Sequence, residues 1–100
     1  MTPTRHHVRV PEELRALMPR FLSNRQADLE QLRTAAARSD FETARRIGHI
    51  LKGAGGGYGF DEITRIGGAI EECARANDPS LWTLVGELAD YLDGLDVTYE

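Results

Sequence analysis

Between residues 81 and 95, apolar side chains fall at Leu81, Leu84, Val85, Leu88, Leu92 and Leu95. Steps of three and four collect these on one face of a helix and on no face of a strand. The spacing recurs upstream. Phe21, Leu22, Leu29, Leu32 and Ala36 lie near one face of a segment at 20–38, and Ile63, Ile66, Ile70, Cys73 and Ala74 form a stripe after Asp61. β-Branched residues are sparse and no long alternating pattern appears, so the chain reads as all-α.

Punctuation divides it. Pro11 suits the start of a short helix over 11–18, and Pro19 interrupts it or opens the next helix. Ser39-Asp-Phe-Glu42 matches the capping box S-x-x-E and starts a third helix. Asp61 is expected to cap a fourth, and Asp78-Pro79 to start a fifth. Short connections between long helices favour antiparallel neighbours. The expected fold is an antiparallel up-down-up-down four-helix bundle with a short N-terminal helix over one end. Residues 1–100 form a single domain in this reading, with an arm at 1–10 and fraying at 98–100.

A chain of 100 residues supports one modest core. No apolar stretch approaches the roughly 18 residues of a membrane span, and the N-terminus lacks an apolar signal core. The single Cys73 cannot form an internal disulfide, which points to a reducing cytoplasm; on its apolar stripe it reads as a small buried hydrophobe. A net charge of −4 speaks against nucleic acid as the main partner. Residues 1–52 carry +4 and residues 53–100 carry −8. This split fits either oppositely charged helices packed side by side or a basic part that faces an acidic partner. His6 and His7 are adjacent, a poor metal pair, and no cysteine or carboxylate pattern supports one, so no metal is expected.

The segment His49-Ile-Leu-Lys-Gly-Ala-Gly-Gly-Gly-Tyr-Gly-Phe60 stands apart. Each interior glycine costs a helix about 1 kcal/mol relative to alanine, so local propensity favours a loop. Phosphate-binding loops do not fit: Lys52 precedes the glycines instead of following them, G-x-G-x-x-G from Gly53 would end on Tyr58, and no strand comes before. At 100° per residue, Ala44, Ile47, Leu51, Ala54 and Tyr58 oppose His49, while Glu42, Arg45, Arg46, Lys52, Gly53 and Gly56 share its side. The helix is therefore expected to run to about Tyr58 with His49 pointing outward. Glycines on a solvent face do not help a helix; allowing another surface to approach closely is one reason for them, and a frayed last turn is the bland alternative.

His49-Ile-Leu-Lys52-Gly53, with Gly59 ten residues after the histidine, resembles the H-x-L-K-G-(x5)-G signature of histidine-containing phosphotransfer (HPt) domains, and the glycine-rich run is similar to a bacterial single-domain subgroup. One departure is Ala54-Gly55, where many members carry serine; a hydroxyl contact to the phosphoryl group is missing there. The resemblance implies that His49 takes a phosphoryl group on Nε2 from an aspartyl phosphate of a receiver domain and passes it to another receiver. Imidazole suits this because it can be uncharged at neutral pH. In related proteins a Glu or Gln about 22 residues later orients the ring, which here is Glu71. Glu71 lies at the edge of the stripe beside Ile70, a position that also fits a solvated flank residue. Lys52, one turn after His49, would neutralise phosphoryl oxygens or contact the partner, or is an ordinary surface lysine. Arg75 matches a family position near the site and also stands where it can pair with Glu71 or Glu72. Gly53, Gly56, Arg45 and Arg46 are the expected docking residues.

The expectation is a monomeric, cytoplasmic phosphocarrier with no cofactor of its own, any magnesium belonging to the receiver. No ATP-binding motif supports kinase activity. The competing readings are the substrate domain of a chemotaxis-type kinase and a helical adaptor that binds receivers without accepting phosphate. The retained His49, Lys52 and Gly53 argue against the adaptor.

Overall fold

The computed structural model describes residues 5–100. Strand β1 (His6–Val10) leads through a 3-10 turn (Glu12–Leu17) into α1 (Met18–Ala37); α2 (Phe41–Gly56), α3 (Asp61–Arg75), α4 (Leu81–Asp93) and strand β2 (Leu95–Tyr99) follow. The short first helix expected at 11–18 is thus a 3-10 run that flows into α1. Pro19 stands in the first turn of α1, where its missing N–H leaves no intrahelical bond unmade, and so it causes no break.

The all-α expectation needs correction, because β1 and β2 pair in parallel, His6 opposite Leu95 and Val10 opposite Tyr99. Both segments alternate: Val8 and Val10 with His7 and Arg9, and Leu95, Val97 and Tyr99 with Asp96 and Thr98. That period and the β-branched content favour strand, but five residues at each chain end are easily read as an arm and a helix tail. Leu95 therefore belongs to β2 and not to the last helix, which Gly94 closes. The end of the chain is pinned where fraying was expected: the Glu12 N–H donates to the Glu100 carbonyl at 2.9 Å, and Val10 is fully buried.

Helix caps also move. The N-cap of α2 is Asp40, whose Oδ1 accepts the Thr43 N–H at 3.2 Å while Oδ2 accepts the Thr43 hydroxyl at 2.7 Å. These bonds hold the Asp40 carboxyl below the usual carboxylate range. Ser39, expected to cap, instead ends α1 in the left-handed region at φ 54°. Its N–H donates to the Ala36 carbonyl at 3.1 Å and that of Asp40 to Ala35 at 2.8 Å, the Schellman arrangement. Asn77 repeats it after α3, with φ 52° and the Asp78 N–H donating to Cys73 at 3.0 Å. Asp61 is the first residue of α3 and makes no cap bond; with Glu62 it places negative charge in the first turn. Asp78 Oδ1 accepts the Ser80 N–H at 2.9 Å just ahead of α4.

The apolar stripes meet in one core. α2 packs most extensively on α3; α1 contacts α2 and α4, and α4 contacts α3, around Leu32, Leu51, Ile63, Ile70 and Leu88. Cys73 is only half-buried, at the rim of that core, with Sγ donating to the Asp78 carbonyl at 3.4 Å. Among the described residues, no helix is long and apolar enough to cross a membrane, and no cluster of His, Cys, Asp and Glu suited to a metal ion occurs.

Candidate phosphoacceptor site

The site begins with two glycines that the sequence reading passed over. A Cβ on Gly67 of α3 would stand 2.5 Å from the Lys52 backbone nitrogen and 2.9 Å from the Gly48 carbonyl oxygen. One on Gly48 of α2 would stand 2.7 Å from the Glu71 backbone nitrogen and 2.9 Å from the Gly67 carbonyl oxygen. Real Cβ atoms do not come so close, so the two backbones touch here only because neither residue carries one. Gly55 continues the seam against Phe60 and Thr64. Gly48 and Gly55 are seven residues apart, two helical turns on one line, and that spacing is the signal that was available.

This contact fixes the neighbours of each glycine. His49 follows Gly48, and Glu71 lies one turn after Gly67, so their side chains meet across the seam. His49 Nδ1 lies 2.9 Å from Glu71 Oε2. The exposures differ sharply: the His49 side chain is 71% exposed and that of Glu71 6%. An ionised carboxylate can only accept, so Nδ1 carries the proton and donates. In the neutral ring, Nε2 on the far edge then holds the lone pair.

Cations surround that pair. Lys52 Nζ stands 3.8 Å from Glu71 Oε1, and Arg75 Nη2 stands 3.5 Å from Glu71 Oε2. Arg75 also reaches Glu72, with Nη1 at 3.4 Å from Oε1. Arg45 donates from Nη2 to Glu42 Oε1 at 2.8 Å, one turn before the histidine, and the bond holds the Glu42 carboxyl below its usual range. Arg46 is exposed. His49, Lys52, Glu71 and Arg75 therefore come together, whereas Arg45 and Arg46 stand along the same helix without touching the Glu71 carboxylate.

α2 ends at Gly56, not at about Tyr58; Gly57 and Tyr58 lie in the turn that follows, and Gly59 takes φ +85°, which a side chain would strain. Gly53 has nothing within 4 Å of where a Cβ would lie, and Gly56 only the Thr64 hydroxyl at 3.8 Å. Neither is needed for packing within the chain. Ile50, beside the histidine, is an exposed apolar residue that the helical reading did not single out. His6 and His7, outside this site, lie on β1, His7 Nδ1 at 3.3 Å from Asp96 Oδ2.

The family model for the Hpt domain matches residues 16–98, and the chain belongs to that family. Hpt domains are phosphocarriers: they carry out histidine phosphotransfer in two-component signalling and interact there with receiver domains. No curated protein and no solved structure matches the chain.

Proposed function

We propose that this chain is a phosphorelay intermediate, accepting a phosphoryl group on His49 Nε2 from the aspartyl phosphate of one receiver and passing it to another. The observation that carries the reading is the 2.9 Å bond from Nδ1 to a buried carboxylate beneath an exposed ring. In the forward step the Nε2 lone pair attacks phosphorus, the N–P bond forms, the bond from phosphorus to the receiver's aspartate oxygen breaks, and the aspartate leaves as a carboxylate. The ring keeps its Nδ1 proton and becomes cationic, and Glu71 offsets that charge. Donation to the next receiver reverses these events.

Lys52 and Arg75 are within reach of the phosphoryl oxygens in this reading, and Gly53 and Gly56 leave room for the receiver. Short interhelical connections support an antiparallel up-down-up-down order, in a single domain over residues 1–100. A monomeric, cytoplasmic carrier without kinase activity of its own fits the same reading. The test is label transfer from a panel of receivers phosphorylated on aspartate. Label on the chain supports the carrier; receiver binding without label supports the adaptor instead.

Two expectations follow from the geometry. Glu71→Ala removes the group that holds the ring, so transfer should slow about tenfold, roughly 1.4 kcal/mol of barrier, while His49 remains the labelled residue. Rapid-quench kinetics against one cognate receiver measure this, and an unchanged rate would remove Glu71 from the mechanism. Gly56→Leu and Gly53→Gln should leave thermal stability at or above that of the parent, because both positions are open, yet weaken receiver binding about tenfold by obstructing approach. Unaltered affinity in both variants, by titration calorimetry, would mean the receiver docks elsewhere.

A further inference from the structure

We propose that Gly68 is a positioning residue: it leaves a notch in α3 across which the stem of Lys52 lies, and so holds the lysine's ammonium on Glu71, beside His49. The inference rests on the reading of His49 as acceptor and says how this chain sets a lysine in place for that reaction.

α3 carries two adjacent glycines, and the seam accounts for only the first. Gly67 admits the Lys52 backbone nitrogen, 2.5 Å from where a Cβ would stand. Gly68 admits the side chain of the same lysine. Outside its own helix backbone, the three atoms nearest to the place of its missing Cβ are consecutive stem carbons of Lys52: Cγ at 4.0 Å, Cδ at 3.7 Å and Cε at 4.0 Å. A methyl group fits at those distances as an ordinary contact, whereas a longer side chain would occupy the space of the stem. The position therefore has to stay small, in a helix interior where glycine is unfavourable.

The course of the stem leads to the site. Glu71 lies three residues beyond Gly68, one turn along the same side of α3. The stem crosses Gly68 and ends with Nζ 3.8 Å from Glu71 Oε1. Its methylenes are packed on α3 while the charged end stays in water. Arg75 Nη2 at 3.5 Å and His49 Nδ1 at 2.9 Å both meet the other oxygen, Oε2. Displacing Lys52 would thus leave Glu71 partnered and the ring held. What would be lost is a cation fixed one turn along α2 from the histidine, ready for phosphoryl oxygens. Lys52 is also the only lysine of the chain, against eleven arginines. A flexible four-carbon stem with a compact charge can follow the notch to one oxygen and turn from it to an arriving phosphoryl group.

The single lysine makes the test direct, because the chain grown with ¹³C-labelled lysine shows one lysine spin system. In the unphosphorylated parent, the Lys52 δ- and ε-protons should give nuclear Overhauser contacts to the Gly68 α-protons, and their absence overturns the proposal. In transfer from a phosphorylated receiver, Lys52→Gln should slow the reaction about fivefold, the upper range for an exposed charge contact. Gly68→Leu and Gly68→Gln should slow it by the same factor, with thermal stability at or above that of the parent, because both residues favour helix more than glycine does. Gly68→Ala, whose methyl fits the notch, should transfer at the parent rate. The double variant separates positioning from bulk. Lys52→Gln combined with Gly68→Leu should remain about fivefold slow if Gly68 acts through the lysine; mere obstruction of the receiver would multiply the two effects to about twenty-five-fold, which overturns the proposal. The proton contacts are measured without phosphate, so they hold or fail independently of the carrier reading, which falls only if the parent chain takes no label.

Discussion

A His49→Gln variant is expected to take no phosphoryl group from any receiver, a loss of at least a thousandfold, while its melting temperature stays within a few degrees of the parent. The two halves of this result come from the same geometry. The ring is largely exposed, so little packing is lost with it. Glutamine retains an N–H that can donate to Glu71 but offers no nucleophilic nitrogen, because its amide lone pair is delocalised. On the parent, label should be stable to alkali and released by acid, as an N–P bond is. Retention of wild-type labelling by the variant would show that another residue is the acceptor.

The second large effect is on stability. Gly67→Ala should destabilise the fold by about 2 kcal/mol: overpacking at the upper end of the usual 1–3 kcal/mol, offset by the roughly 1 kcal/mol that alanine gives a helix. For a domain of this size that is a fall in melting temperature of about 10 °C. The added methyl would meet backbone, at Lys52 nitrogen and Gly48 oxygen, so no side-chain rotation can relieve it. The helices must separate, and Glu71 then withdraws from His49. The same exchange at Gly53 meets open space and should stabilise by up to about 1 kcal/mol. Thermal melts of the two variants should therefore move in opposite directions. A Gly67→Ala protein as stable as its parent would mean that the seam is not close-packed.

The contrast between those glycines shows what the sequence revealed. Helical periodicity around His49 separated the buried from the exposed face of α2, because 100° per residue fixes which residues share a side; Gly53 faces open space and Gly56 has only the Thr64 hydroxyl near it. Periodicity on one helix does not say which flank a second helix will occupy, so Gly48 and Gly67 passed unremarked. Glu71 shows the same limit: its place at the stripe edge was legible, but its burial and its bond to Nδ1 depend on how deep the seam lets α3 sink. Cap chemistry was misassigned by one residue at Ser39, because the serine of a capping box and the residue that ends the preceding helix competed for one position, and the tight turn won. Arg25 was missed because a charged residue breaks the apolar pattern. It is nonetheless buried, bonded to Asp28 at 2.9 Å with its guanidinium over the Phe21 ring.

The strand pair carries a consequence for the order of folding. Residue 6 meets residue 95, so this sheet closes nearly the whole chain into a loop, and its entropic cost is met only when the helices between have already brought the ends together. The helices can form from local contacts; the pair cannot. It is therefore a clasp that shuts last and, by reversibility, opens first, ahead of the α2–α3 seam on which His49 and Glu71 depend. Amide exchange should accordingly be fastest along residues 6–10 and 95–99 and slowest around Leu51 and Ile70, leaving the contact between His49 and Glu71 intact while the chain ends come and go.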